Sequence, residues 1–413
     1  MELKNFWDIN KRTITIIFLF VLITALFWGI RLWRFEELMT FGPDQALFME
    51  DVYKIAESKK LPLIGPIVTS RIVDGKGFFT GPTFYYLLLP ISIISKWDAI
   101  LISKIYIIAW WLAGVALFFW LSRKFSFLAG LSAYAIFSVV PTFIYYSRFI
   151  WNPNILPFLG IIILVLLQHN LWFAVGVVTG LGISFNYDFL VWMPLLIFII
   201  IFKKTLHSLA LLSAGLILGS FPFLLFEIRH NFYNIRTLID NTVQTPQSFA
   251  PYHLVFPLIG ILFYAWGKLT FYLQNKKQVI GIFVSVLAFL LFLTKFIYSP
   301  GGRLGMPNDW DVRTQRIASR LICDDIGQRA FEVASTMDGL TQAPDIRWWL
   351  RIDGCLPLDI SQYQSADVLY LVADRYWQPK SESLWEVTSL SPYKIENQHK
   401  LNNNLTLYKL VRL

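Results

Sequence analysis

The sequence predicts a polytopic α-helical membrane protein that ends in a small α/β domain. The mean hydropathy of +0.54, with hydrophobic residues at 56% of 413 positions, lies outside the range of soluble globular proteins. Apolar segments long enough for membrane helices follow one another as far as residue 298. Residues 299–413 instead mix helical and strand periodicity, as a soluble domain does. We therefore predict a membrane domain at 1–298 and a soluble domain at 299–413.

The membrane domain is expected to contain about nine spanning helices. The first apolar segment is too long for a signal peptide, and no small-residue cleavage site follows it. The apolar segment at 82–95 is only about 14 residues long, which indicates an interfacial or re-entrant helix. The predicted spans are residues 13–33, 99–121, 126–144, 154–168, 171–186, 189–202, 207–227, 254–272 and 278–298.

Basic residues in short loops predict the orientation in the plasma membrane, because such loops usually stay in the cytoplasm. Residues 34–98 then form a large first external loop, and the domain at 299–413 lies outside. The net charge of +9 does not indicate a nucleic-acid partner, since the basic residues are spread along the chain. The residues predicted to be cytoplasmic are Lys4, Lys11 and Arg12, then the pairs Arg123–Lys124, Lys203–Lys204 and Lys276–Lys277.

Polar residues gather in the predicted external loops. Seven of the thirteen acidic residues before Ser299 lie between Arg34 and Thr80. Two further external loops contain the sequences YYSRFIWNP and EIRHNFYN. Because these loops open to the same side, the sequence predicts a site at the outer membrane surface.

The first external loop contains a candidate general base. Gly42 and Pro43 predict the start of a helix that continues to about Ser58, since proline suits the first helical position. Asp44 would lie in the first turn, where the helix dipole favours an ionised carboxylate, with Asp51 two turns further on. Such a carboxylate could deprotonate an acceptor hydroxyl. The alternative is an ordinary helix-start residue without a chemical role.

Two other external segments contain candidate phosphate ligands. Arg148 has the planar donor group that binds phosphate through two nitrogens, but an interfacial anchor would have the same sequence pattern. Asn152 is predicted to cap the following helix. Glu227, Arg229 and His230 end an apolar span, where a charge is costly unless it is paired or functional. They either bind a phosphate, with Glu227 orienting the cation, or form a local ion pair.

Neither a metal nor a cofactor is expected. The five histidines and two cysteines do not have metal-ligand spacing, and no nucleotide-binding motif is present. An acid-rich external loop that includes Asp74 leaves a divalent cation open. Cys323 and Cys355 both lie in the predicted external domain, where an oxidising compartment allows them to pair. The alternative is two buried free thiols.

The soluble domain is predicted from its periodicity. Helical spacing covers residues 312–326 and 345–352. Short apolar runs predict strands at 330–335 and 368–373, and a terminal strand at 405–410.

The order of these segments resembles a known family. An external helix with the sequence FGPDQALFMEDVYKIAE is followed by YYSRFIWNPN and FEIRHNF. This order, over residues 10–240, is similar to the membrane glycosyltransferases of the C-type fold. It is most similar to the family 39-like branch, which includes protein O-mannosyltransferases and bacterial lipid A aminoarabinose transferases. Asp44 matches the acidic residue of that family, whereas Gln45 replaces the usual glutamate and Thr80-Gly81-Pro82 replaces a Glu-Lys-Pro sequence.

The resemblance implies a function. The chain would transfer a sugar from a polyprenyl-phosphate donor to a lipid, glycan or protein acceptor at the outer face, with inversion and with Asp44 as base. The alternatives are a lipid or polysaccharide transporter, which would be expected to have a charged pair inside a span, and a scaffold that binds glycan. The expected partners are the donor lipid, membrane lipids and an acceptor of unknown identity. The predicted substrate-binding residues are Gln45, Asp51, Asp74, Arg148, Asn152, Glu227, Arg229 and His230.

Overall fold

The structure is a computed structural model that describes residues 2–68, 77–203, 206–244, 252–275, 307, 309–337, 340–378 and 384–413. Fourteen helices precede residue 276 in these ranges. They are α1 (Glu2–Leu32), α2 (Phe35–Leu38), α3 (Pro43–Ser58), α4 (Thr83–Ile94), α5 (Ala99–Lys124), α6 (Phe127–Val139), α7 (Pro141–Tyr146), α8 (Leu156–Gln168), α9 (Trp172–Phe185), α10 (Trp192–Lys203), α11 (Leu206–Gly219), α12 (Phe221–Arg229), α13 (Tyr233–Gln244) and α14 (Tyr252–Asn275).

Three of these described helices are long and apolar enough to cross a membrane by themselves. They include Ile14–Leu32 of α1, all of α5 and Val255–Asn275 of α14. Helices α11 and α12 pass the same test together, although they are bent by 77°. The other apolar helices have 10–17 residues. Helices occupy every predicted span except 278–298, which lies outside the described residues, so the number of crossings stays a prediction.

Several predicted spans are divided because proline or a 3-10 turn interrupts them. Within the span predicted at 126–144, α6 ends at Val139 and α7 begins at Pro141, since proline cannot continue a helix but suits its first turn. A 3-10 turn at Tyr187–Val191 likewise precedes α10. The short segment at 82–95 forms α4, which packs against α3. The rings of Phe48 and Phe84 are 5.1 Å apart at that contact.

Glycines allow α9 and α11 to pack closely. A Cβ atom on Gly176 would lie 2.2 Å from the carbonyl oxygen of Leu212. A Cβ atom on Gly215 would lie 2.1 Å from that of Phe173. With Gly180 and Gly219 one turn further along, this is the small-residue spacing that brings membrane helices together.

The C-terminal segment forms a four-stranded sheet in the order β1-β2-β4-β3. Strand β1 is parallel to β2, and the other neighbours are antiparallel. The predicted helix at 312–326 has those bounds, and the other predicted helix and strands are present with ends shifted by a few residues. The elements are α15 (Val312–Ile326), β1 (Phe331–Ser335), α16 (Pro344–Asp353), β2 (Val368–Asp374), α17 (Trp385–Ser389), β3 (Tyr393–Lys400) and β4 (Leu405–Arg412).

Strand β3 and helix α17 were missed by the sequence reasoning. Strand β3 has the sequence YKIENQHK and lies at the edge of the sheet, where charged and polar side chains are tolerated on both faces. Its pattern therefore lacks the apolar run that identified the buried strands. Helix α17 has only five residues, too few for a periodic signal.

The C-terminal segment has two buried clusters of its own and also contributes side chains to the large cluster of the preceding helices. Trp348 and Trp349 of α16 and Val312 of α15 belong to the same buried cluster as Phe41 and Met49. A second cluster fills the space between the sheet and helices α15 and α16, and a third covers the opposite face of the sheet. The predicted division at residue 298 lies outside the described residues.

A disulfide joins Cys323 of α15 to Cys355, just after α16, with the two Cα atoms 5.7 Å apart. The two cysteines are 32 positions apart, so the bond should stabilise the folded segment by about 4 kcal/mol, because it lowers the conformational entropy of the unfolded chain. We expect non-reducing mass spectrometry to find no free thiol. We also expect reduction to lower the melting temperature. Two alkylated cysteines in the non-reduced protein would contradict the bond.

Candidate functional site

The start of α3 places Asp44. Gly42 is the cap residue and Pro43 the first helical residue, as predicted. The side-chain oxygen of Gln45 accepts a hydrogen bond of 2.9 Å from the backbone N–H of Gly42, which is one of the two bonds of a capping box, since glycine has no side chain to form the other. Glutamine and glutamate can both accept this bond. The Nε2 donor of Gln45 is buried and has no hydrogen-bond partner in the described part of the chain.

Asp44 itself is half-buried and makes no hydrogen bond or ion pair with any residue in the described ranges. Burial raises the pKa of its carboxyl group above the ordinary value. The helix dipole, which we expected to favour the ionised form, is therefore outweighed by desolvation. A free carboxylate with a raised pKa is suited to take a proton near neutral pH.

Asp51 connects α3 to α4. The phenol of Tyr85 donates a hydrogen bond of 2.5 Å to its Oδ2 atom. Burial raises the pKa of Asp51, and the Tyr85 hydrogen bond acts in the opposite direction. Because its carboxylate has this partner, Asp51 has a structural explanation that Asp44 lacks.

Arg148 holds the end of α1. Its Nε atom donates to the carbonyl of Arg31 at 3.2 Å, and its Nη2 atom donates to the carbonyl of Ile30. These carbonyls belong to the last turn of a helix, where a cation is favourable. Backbone carbonyls therefore occupy two of the nitrogens of Arg148, and its role in binding phosphate stays a prediction.

A second arginine, Arg31, is fully buried beside it. Its Nε atom donates to Ser147 Oγ at 2.9 Å, and its Nη1 atom donates to the carbonyl of Ser138 at 2.8 Å. Neither arginine forms an ion pair with a described carboxylate. The sequence reasoning missed Arg31, although an arginine within the predicted span 13–33 was a signal for it.

Asn152 does not cap its own helix, contrary to prediction. It begins a 3-10 turn at Asn152–Ile155, and no side chain caps that turn. Its amide instead donates 2.7 Å to the carbonyl of Phe185 at the end of α9. The residue is buried, so the turn and α9 are joined by this bond.

Glu227 is fully buried and organises the segment before α4. Its carboxylate accepts hydrogen bonds from the Asn234 side chain at 2.8 Å and from the backbone of Ile235 at 3.2 Å. The Asn234 oxygen in turn accepts from the backbone N–H of Phe79 at 2.8 Å, and Tyr187 donates to the Phe79 carbonyl at 2.7 Å. The predicted pairing of Glu227 with its neighbouring cations is therefore wrong, because amide donors surround the carboxylate.

The neighbouring cations are free of that network. The side chains of Arg229 and His230 are exposed. His230 approaches the carbonyl of Phe226 through Nδ1 at 2.9 Å and stacks on the ring of Phe226. In the described ranges Arg229 has no ion-pair partner, which leaves its guanidinium available to an anion.

The predicted site residues lie in two parts of the structure. Asp44 and Arg148 belong to one part, and Glu227 with Arg229 belongs to the other. Thr40 donates to Tyr145 at 3.3 Å, which joins the segment before α3 to the loop of Arg148. Glu227 instead organises the segment before α4. No direct contact joins Asp44, Arg148 and Arg229 among the described residues, and Asp74 lies outside them. Within the same ranges no three His, Cys, Asp or Glu residues are close enough to hold a metal ion.

The fold of this chain is shared with a protein of known structure. In particular, the chain is similar to ArnT from Cupriavidus metallidurans bound to undecaprenyl phosphate. The TM-score is 0.58 at 10% identity, over 94% of this chain and 97% of that one. The apo state of the same protein aligns over the same shares with 11% identity and a TM-score of 0.47.

No family model matches the chain, and no curated protein matches it by sequence. At 10% identity the likeness to ArnT establishes the fold alone. It confirms, at that level, the resemblance to the C-type fold predicted from the order of the external segments.

Proposed function

We propose that this chain is a membrane glycosyltransferase that moves a sugar from a polyprenyl-phosphate donor to an acceptor hydroxyl. The observation that carries the proposal is Asp44, a half-buried carboxylate without a partner in the described chain, at the start of a helix in the first large loop. The fold supports it, since ArnT has the same fold and was solved bound to undecaprenyl phosphate. That lipid is the chemical class of donor that we assign to this chain.

The proposed reaction is a single displacement. Asp44 takes the proton of the acceptor hydroxyl, the acceptor oxygen bonds to the anomeric carbon, and the bond to the phosphate oxygen breaks. The configuration at that carbon inverts. Negative charge develops on the departing polyprenyl phosphate, which is where cations lower the barrier. Arg229 is the exposed cationic candidate, His230 is an exposed imidazole next to it in sequence, and Arg148 offers the Nη1 atom that carbonyls leave unused.

A reaction without metal or cofactor is part of the proposal. The phosphate is already a good leaving group, and side-chain cations can neutralise its charge. We expect a chelator to leave sugar transfer unchanged. Loss of transfer on chelation, restored by Mg²⁺ or Mn²⁺, would instead place a cation ligand in the first loop, with Asp74 as the first residue to test.

The test of the function is turnover of a radiolabelled polyprenyl-phosphate sugar by the purified protein. We expect free polyprenyl phosphate to appear together with a labelled product. A transporter would move labelled donor across the bilayer of a proteoliposome without consuming it. A glycan-binding scaffold would do neither, so the two outcomes separate the alternatives.

We also propose that the site and residues 309–413 lie at the outer face. Gln398 of β3 is exposed, and cysteine at this position should react with an impermeant thiol reagent in intact cells. Lys124→Cys, at the exposed end of α5, is the matched control and should react only after lysis. The native cysteines are bonded to each other and should stay silent. The reverse labelling pattern would place the site in the cytoplasm.

A further inference from the structure

The C-terminal segment forms a hydrogen bond with the backbone just before Asp44. Gln315 of α15 is fully buried, and its Nε2 atom donates a hydrogen bond of 2.8 Å to the carbonyl of Phe41. Its Oε1 atom accepts a hydrogen bond of 3.0 Å from the indole of Trp349 in α16. The indole therefore fixes which end of the carboxamide faces Phe41. These two residues are separated from Phe41 by more than 270 positions in sequence.

Phe41 lies directly before the cap of α3. Its side chain is buried, and its ring centroid is 5.0 Å from that of Trp349. The adjacent Gly42 N–H is already bonded to Gln45, and Pro43 has no N–H. The C-terminal segment therefore binds the backbone at the start of α3 through the Phe41 carbonyl.

A second contact holds the same helix further along. Arg351 of α16 donates to both carboxylate oxygens of Glu50, from Nε and from Nη2, at 3.0 Å each. Its guanidinium also lies 4.8 Å from the centre of the Tyr53 ring. Two-point geometry of this kind resists rotation as well as separation. Helix α3 is therefore fixed to α16 in its middle and to Gln315 at its entry.

We propose that Gln315 and Trp349 are positioning residues for Asp44: they hold the Phe41 carbonyl and thereby fix where the first turn of α3 points its carboxylate. The proposal rests on the proposed role of Asp44 in sugar transfer. It gives the C-terminal segment a part in the reaction without contact with the substrate. A general base must lie within hydrogen-bond reach of the proton that it takes, and misplacement by about 1 Å can cost up to roughly 10²-fold in rate.

The test compares two fully buried side chains on the same helix, Gln315 and Ser319. Gln315→Met keeps the side-chain volume and removes both hydrogen bonds of Gln315, the one to the Phe41 carbonyl and the one from the Trp349 indole. Ser319→Ala removes the bond of 2.6 Å from the buried Ser319 to the exposed Asp353, a bond that remains within the C-terminal segment. We expect Gln315→Met to lower kcat about 10-fold with KM for the donor changed less than about 2-fold, since the base is displaced and donor contacts are not. Ser319→Ala should leave both constants within about 2-fold.

A second variant, Trp349→Phe, tests the same proposal if Gln315→Met does not fold. Trp349→Phe keeps a ring against Phe41, removes the indole donor that orients Gln315, and also removes part of the buried ring volume. We expect about a 3-fold lower kcat with the same unchanged KM. Equal losses in Gln315→Met and Ser319→Ala, or a rise in KM without a fall in kcat, would overturn the proposal, because general destabilisation would then explain the data.

Hydrogen exchange separates this proposal from the proposed function. In Gln315→Met, amides in the peptide of residues 39–48 should exchange faster than in the parent protein, while those of β2 should not change. Ser319→Ala should leave the peptide of residues 39–48 unchanged. Unchanged exchange there in both Gln315→Met and Trp349→Phe would overturn the positioning. If the parent protein transfers no sugar, the proposed function fails, but faster exchange would still show that Gln315 holds the entry to α3.

Discussion

Asp44→Asn should lower turnover of the polyprenyl-phosphate donor by roughly 10²–10⁴-fold, the range expected when a general base is removed. Asparagine keeps the shape of the side chain and the capping by Gln45, so the protein should fold normally. Asp51→Asn is the matched control two turns away, because its oxygen can still accept from Tyr85. Near-normal turnover in Asp44→Asn would leave Asp44 as a helix-start residue and would move the search to Glu50 and Asp51.

The pH dependence gives an independent measurement of the same residue. Because burial raises the pKa of Asp44, the acid limb of kcat/KM should lie above the ordinary range for aspartate and should be absent in Asp44→Asn. The raised pKa favours the proposed role of Asp44 as a base, but it disfavours folding once the carboxyl group is ionised. A raised pKa in the folded state means that ionisation of Asp44 opposes folding as pH rises through that pKa.

Asp44→Asn should therefore melt at the same or a higher temperature than the parent protein at neutral pH. The difference should shrink in acid, where Asp44 is protonated. A lower melting temperature at neutral pH would show that the ionised carboxylate stabilises the helix start instead.

Local sequence patterns predicted the elements that position the site. Gly42-Pro43 predicted where α3 begins, and the periodicity of residues 312–326 predicted the bounds of α15. Both signals are contained in a few neighbouring residues. They depend on the missing N–H of proline and on the 3.6-residue repeat, which act whatever else surrounds the segment.

Partners of the polar side chains could not be predicted in the same way. A guanidinium donates equally well to a phosphate or to helix carbonyls, and the sequence of the Arg148 loop does not show that Ile30 and Arg31 lie beside it. These contacts bridge about 118 positions, and the contact of Gln315 with Phe41 bridges 274. Only the packed fold determines which donors meet which acceptors.

Glu227→Ala should destabilise the protein by about 3 kcal/mol, since it leaves the buried Asn234 amide and the partly buried Ile235 N–H without their acceptor. The loss should spread to residues 77–80, because Asn234 also holds the backbone of Phe79. Thermal unfolding in detergent would measure the first effect, and hydrogen exchange of the segment before α4 would measure the second.

Arg229→Ala is the control for Glu227, two residues away at the same helix end. Its side chain is exposed, so the melting temperature should stay the same while kcat falls, because the cation that would neutralise the departing phosphate is removed. The two variants thus separate a carboxylate that builds the site from a cation that acts in it. Unchanged stability in Glu227→Ala would show that water replaces the carboxylate. A similar loss of stability in both variants would instead support an ion pair between Glu227 and Arg229, which the sequence alone suggested.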